Sequence, residues 1–187
     1  SVHIPDTVAS IGDGAFTDCK NLKSITVHDT VTSIGKEVFL GCSELLDVTL
    51  PNTTASVGEG MFSGCIKLET VSLPSSVTAI EKNAFSGCSS LTSITIPENL
   101  TSIGYRAFAG CSSLTSITIP ISITNFGKEV FEECSSLHTV CWNAKYCSSF
   151  ASNYDYDKPF YHIASQITSF TFGDSVEYIP SHLCCRM

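Results

Sequence analysis

Gly87-Cys88-Ser89-Ser90-Leu91-Thr92-Ser93-Ile94-Thr95-Ile96-Pro97 returns unchanged at residues 110 to 120, as Gly110-Cys111-Ser112-Ser113-Leu114-Thr115-Ser116-Ile117-Thr118-Ile119-Pro120. The 23-residue step extends outward in both directions. Cys19, Cys42, Cys65, Cys88, Cys111 and Cys134 keep it, and so do Phe16, Phe39, Phe62, Phe85, Phe108 and Phe131 three positions ahead of them. Leu22, Leu45, Leu68, Leu91, Leu114 and Leu137 follow each cysteine at the same interval. A constant period in the twenties, with apolar residues three and five apart, specifies a stacked repeat solenoid rather than a globular core. One such unit cannot bury enough apolar surface to offset the entropy of fixing its own backbone, so the array is the folding unit.

Within a unit, Ser93-Ile94-Thr95-Ile96 alternates with a period of two, which places both Ile side chains on one face and Ser and Thr on the other. The pattern predicts about eight short parallel strands stacked roughly 4.8 Å apart, with interior ladders of Ile, Val and Leu. Pro51, Pro74, Pro97 and Pro120 follow directly, and Pro5 holds the same place in the first unit. Proline cannot donate to a ladder, so it ends the strand and turns the chain. The return segment, such as Val77-Thr78-Ala79-Ile80, is expected to pack on the convex side, and Lys82 to Cys88 has room for one short helical turn with Ala84, Phe85 and Cys88 inward.

The chain has 187 residues, 43% hydrophobic and 15% charged, with a net charge of -8. No apolar run approaches the roughly 18 residues of a membrane-spanning helix. The acidic balance and scattered Lys and Arg argue against a nucleic-acid partner. Both ends read as interior repeats without a polar cap, so the sequence reads as a segment of a longer protein.

Stacked cysteines would hold their Cβ atoms about 4.8 Å apart with parallel vectors, whereas a disulfide needs about 3.8 Å and converging ones. The six in the ladder are therefore expected as reduced, buried thiols. Cys141 and Cys147 form a possible local pair outside it.

The run G-C-S-S-L-T-S-I-T-I-P, with V-T-x-I-x-x-x-A-F beyond it, resembles the BspA-like family of leucine-rich repeats over nearly the whole chain. The resemblance implies a right-handed leucine-rich repeat horseshoe, with a parallel β-sheet on the concave side and short turns, 3-10 or helical segments on the convex side. It also implies a cell-surface or secreted protein of host-associated microbes, an adhesin binding extracellular matrix proteins or other cells. On this reading residues 1–187 form one leucine-rich repeat domain, with regular repeats over 1–136, a 30-residue variant repeat over 137–166 and a further repeat over 167–187.

Two stretches are candidate binding sites. The variant repeat carries Trp142, Tyr154, Tyr156, Phe160 and Tyr161, which form either a protruding aromatic patch or a wider packed layer. The solvent face of the strands carries Thr49, Ser72, Thr95 and Thr118 among rows of hydroxyls, which either meet a ligand or simply stabilise the sheet through cross-strand Thr pairs. His3, His28, His138, His162 and His182 share no spacing with an acid or nucleophile. With no C-x-x-C, H-E-x-x-H or phosphate-cradling glycine loop either, the sequence points to a binding module that is not an enzyme and uses no cofactor or metal.

Overall fold

A computed structural model describes residues 2–147, 158–181, 183, 184, 186 and 187. The Ser-Ile-Thr segments become front strands β2 (Ser24–Thr26), β4 (Asp47–Thr49), β6 (Thr70–Ser72), β8 (Ser93–Thr95), β10 (Ser116–Ile119), β12 (Thr139–Trp142) and β13 (Ser169–Phe172), in chain-order numbering. They run parallel, pairing as β2 with β4, β6 with β8, and β10 with β12 with β13. Register advances by one repeat at each step, Ser24 opposite Asp47 and Ser116 opposite Thr139. At the variant repeat Thr139 faces Ser169, so the longer unit rejoins the sheet in phase. Among the described residues there are seven front strands rather than about eight. Residues 2–5 hold the register of the first unit with a neighbour on one side only, and they carry no strand.

The return segment does more than pack. Short strands β5 (Ser56–Val57), β7 (Ala79–Ile80), β9 (Ser102–Ile103) and β11 (Asn125–Phe126) form a second parallel ladder, and β1 (Ser10–Ile11) pairs β3 (Ser33–Ile34) in the same position. Two residues in extended conformation give each unit an inward apolar side chain, Val57, Ile80, Ile103 or Phe126, all buried.

The expected helical turn is replaced by a run of tight turns. Gly14, Glu37, Gly60, Asn83, Arg106 and Glu129 all have positive φ, as do Asp18, Gly41, Gly64, Gly87, Gly110 and Glu133 four residues later. Two left-handed residues per unit break any helix and swing the backbone N–H groups between them toward the next repeat. There Phe85 N–H donates to the Ala107 carbonyl at 2.8 Å and Phe108 N–H to that of Val130 at 3.0 Å. The turns thus form a third ladder along the solenoid.

That ladder positions the core. Phe16, Phe39, Phe62, Phe85, Phe108 and Phe131 stack with ring centroids 5.3 to 5.7 Å apart and planes within 13° of parallel. Phe39 to Phe131 are fully buried, whereas Phe16, with one stacking neighbour, is half-buried. Beside the rings, each ladder thiol from Cys42 to Cys134 donates to the Phe carbonyl of the preceding unit: Cys42 to Phe16 at 3.1 Å, Cys88 to Phe62 at 3.1 Å, Cys111 to Phe85 at 3.2 Å. The same carbonyl accepts the cysteine N–H of its own unit, as Cys19 to Phe16 at 3.1 Å. Burial pushes Cys65 and Cys134 up to about 12 and raises Cys88 and Cys111 well above the ordinary thiol, which keeps the S–H donors protonated. No disulfide joins Cys141 to Cys147, and the Cys141 thiol donates to Asn143 Oδ1 at 3.4 Å.

Candidate binding surface

The front strands show the burial pattern exposed, buried, exposed, so Ser24, Thr26, Asp47, Thr49, Thr70, Ser72, Ser93, Thr95, Ser116 and Thr118 face solvent in two rows. Among the described residues no hydrogen bond engages the hydroxyls in these rows from Ser24 through Thr118. The same residue types on the flanks behave differently. Thr53 donates to the Val31 carbonyl at 2.8 Å, Ser76 to that of Thr54 at 2.7 Å, Thr101 to that of Thr78 at 3.0 Å, and Ser122 to that of Leu100. Flank hydroxyls tie one unit to the next. Front hydroxyls keep donors and acceptors available to a partner.

The other candidate separates into core and rim. Trp142 is fully buried, because it takes the inward position of β12 that Ile119 takes in β10. Phe160 is 1% exposed and stacks on Phe131 at 5.1 Å, becoming the next ring in the phenylalanine stack. Neither side chain can reach a partner. The expectation that they belong to a contact patch is corrected, since the extra length of the repeat is used to bring an aromatic ring back to the ladder position. Tyr161 is half-buried at the start of a 3-10 helix, Tyr161–Gln166, with the Arg186 guanidinium 4.3 Å from its ring centroid. Tyr154 and Tyr156 lie outside the described residues. In the variant turn Ile163 is buried, and the Gln166 amide donates to the Cys134 and Leu137 carbonyls of the preceding unit.

The described histidines are scattered. His28 occupies a proline slot with Nε2 3.8 Å from Asp6 Oδ1, His138 Nδ1 lies 3.0 Å from Thr139 Oγ1, and the exposed His162 packs edge-on to Tyr161. Among the described residues no three His, Cys, Asp or Glu side chains converge as a metal site, and no helix is long and apolar enough to cross a membrane.

Six copies of the BspA type leucine-rich repeat region match the chain, over residues 1–80 and 59–185. The chain belongs to this BspA-type family. A leucine-rich repeat protein from Bacteroides ovatus is 29% identical with a TM-score of 0.72; the match covers 98% of this chain and 58% of that one. The T. pallidum leucine-rich repeat protein TpLRR is 22% identical with a TM-score of 0.68, over 94% of this chain and 79% of the other. The pneumococcal vaccine antigen PcpA is 22% identical with a TM-score of 0.59, over 86% and 42%. This BspA-type chain therefore spans little more than half the length of the Bacteroides protein. No curated protein matches it in sequence.

The BspA-type repeat accounts for the fold and leaves the ligand open. Sequence reasoning singled out the front hydroxyls but missed that only the flank ones are committed to backbone carbonyls. Serine and threonine are written alike in both places.

Proposed function

We propose that this BspA-type solenoid is a non-enzymatic protein-binding module of a cell-surface or secreted protein, adhering to host matrix proteins or cells through its concave face. The whole described chain acts as one binding domain. One observation carries the proposal: the front hydroxyls from Ser24 to Thr118 have no intramolecular partner, while flank hydroxyls in the same repeats do. Hydroxyl bonds across the strands, one way such a row would stabilise the sheet, are absent from these positions among the described residues. Family membership supports the surface location.

A second reading, a rigid spacer that presents another domain, is favoured by the burial of Trp142 and Phe160, which makes the variant repeat a continuation of the stack. Binding of the chain to a panel of immobilised matrix proteins and host cells separates the two. An adhesin binds saturably and loses at least tenfold in affinity in Thr95→Arg/Thr118→Arg. A spacer binds nothing on the panel, or binds equally well with both arginines in place.

A further inference from the structure

The backbone ladders skip one junction. Between the units 28–50 and 51–73, β4 does not pair with β6 on the front and β3 does not pair with β5 on the back. The bonds that flank the strands fail at the same place. On the back, Thr32 N–H donates to the Ala9 carbonyl at 2.9 Å, Thr78 to that of Ala55 at 2.9 Å and Thr101 to that of Thr78 at 2.8 Å, yet among the described residues Ala55 N–H makes no such bond to Thr32. On the front, Leu46 N–H donates to the Lys23 carbonyl at 2.9 Å and Thr92 to that of Glu69 at 3.0 Å, and the equivalent bond from Glu69 to Leu46 is missing. β8 and β10 are also unpaired, but there Thr115 N–H still reaches the Thr92 carbonyl at 3.4 Å and the back strands β7 and β9 pair. Among the described regular repeats, the junction of 28–50 with 51–73 is the one open on both faces.

The sequence accounts for the break. Thr32, Thr78, Thr101 and Thr124 each add a hydroxyl bond to the carbonyl of the preceding unit, at 3.0 to 3.3 Å, in a column where position 55 is Ala. Thr92 adds one on the front at 3.3 Å, in a column where position 69 is Glu. Thr54 interrupts a column otherwise held by Val31, Val77, Leu100 and Ile123, and its hydroxyl turns to its own unit's Pro51 carbonyl at 2.7 Å. A cleft of about 150 Å³ lies between β3 and β5, lined by Thr32, Ile34, Thr54, Ala55 and Ser56 among others. Thr32 and Ala55 are exposed, so water can meet the backbone groups left over.

The third side of the same junction is closed. Glu37, Phe39 and Gly41 N–H donate to the Glu59, Met61 and Ser63 carbonyls at 2.8 to 2.9 Å, and Phe39 stacks on Phe62 at 5.5 Å. Lys36 pairs with Glu59 at 3.4 Å and Lys67 with Glu44 at 2.8 Å. At the corner between front and return strands, away from these turns, Asp29 Oδ1 accepts the Asn52 N–H at 2.6 Å and Oδ2 the Asn52 Nδ2 at 3.2 Å.

We propose that the solenoid has a hinge at this junction: the turn side is its axis, the front and back faces open and close about it, and the Asp29–Asn52 contact is the latch at the far corner. Bending elsewhere must break ladder bonds worth about 1 kcal/mol each. Here those bonds are already absent, and the angle is limited by the buried column that Val48 and Val71 share. A front concavity of about 480 Å³ over β2, β4 and β6 straddles the hinge, so its curvature follows the hinge angle. The hinge goes beyond the proposed binding function and does not depend on it.

The test measures distance distributions in the frozen full chain by double electron–electron resonance. Nitroxides are attached through p-acetylphenylalanine, which leaves the cysteines unlabelled. One pair, at Thr30 and Ser75, spans the open junction; a control pair, at Ser75 and Ile121, spans the same number of units across closed ones, and all three positions are exposed. The first distribution should be about twice as broad as the second. Ala55→Thr with Glu69→Thr, which restores the residue other units carry, should narrow it to the control breadth, and Asp29→Ala should broaden it further. Equal breadths in the parent chain overturn the hinge. A breadth untouched by the two threonines overturns the missing bonds as its cause, and one untouched by Asp29→Ala overturns the latch.

Discussion

The turn around Phe108 and Cys111 and the turn around Phe160 and Ile163 solve the same packing problem with different chemistry. Both bury a phenylalanine ring against the ring of the preceding unit, at 5.3 Å for Phe108 on Phe85 and 5.1 Å for Phe160 on Phe131. In the regular turn a thiol bridges to the neighbouring carbonyl; in the variant turn a buried Ile takes the interior place and the Gln166 amide bonds the Cys134 carbonyl. The ring position is thus kept across both designs, and the hydrogen bond between units is delivered by whichever donor the turn can present.

The widest gap between the two should open at alkaline pH. An unfolded thiol loses its proton near pH ~8.5, whereas Cys65 and Cys134 hold theirs to about 12 in the fold. The unfolded state therefore binds fewer protons above that point. Stability from these thiols is complete below pH ~8.5 and falls by about 1.4 kcal/mol per thiol for each pH unit up to the folded value. Urea midpoints at pH 8 and pH 10 should differ by more than they do in a chain with Cys65 and Cys134 both changed to Ala, where Cys42, Cys88 and Cys111 still carry the rest of the shift. Trp142, the single tryptophan, lies in the variant repeat beyond the cysteine ladder, so its fluorescence should change after the circular dichroism of the regular strands. A pH-independent midpoint would remove the thiols from the comparison.

Removing a ring tests whether the shared position is needed in both turns. Phe108→Ala and Phe160→Ala should each cost about 3–5 kcal/mol, as fully buried aromatics do. The first cuts the stack between Phe85 and Phe131, so it should broaden unfolding of the whole array. The second should loosen only the units beyond Phe131, visible as amide exchange confined to β12 and β13. A Phe160 variant as stable as the parent would show that the variant turn does not rely on its ring.

Exchanging the donor is a smaller change. Cys88→Ala keeps the volume near that of the thiol but removes its bond to the Phe62 carbonyl, and about 1–2 kcal/mol should be lost by denaturant titration. Glu37→Gly acts in the opposite direction: Glu37 has φ of 54°, and relieving a left-handed residue should add about 1 kcal/mol. Thr95→Ala and Thr118→Ala have no hydroxyl bond to lose and should move the midpoint by under about 0.5 kcal/mol. A large loss there would mean the front row supports the sheet after all.

Much of this was legible from residues at fixed intervals. The Phe and Cys periods announced the two interior columns, Ser-Ile-Thr announced the front strands, and the 30-residue step announced a longer unit that rejoins the register, as Thr139 opposite Ser169 does. The turn geometry was harder to read, because the left-handed slot holds Gly at 14 and 60 but Glu, Asn or Arg at 37, 83 and 106. Only the neighbour's hydrogen bonds impose that conformation. Two-residue strands such as Ala79–Ile80 are too short for alternation to reveal. Trp142 keeps the 23-residue register of Ile96 and Ile119, whereas Phe160 lies in an irregular stretch that left a patch and a packed layer open, and only the stack shows that it is interior.

The doubly accepting Phe carbonyl bears on how such a protein changes length over generations. Each unit meets the next through the same S–H bond to a Phe carbonyl already held by its own cysteine N–H, so a unit recognises its neighbour without regard to its ordinal number. Unequal recombination that adds or deletes 23 codons in frame within the regular array leaves every remaining junction as it was. Reach can therefore vary as a copy number without a new kind of junction.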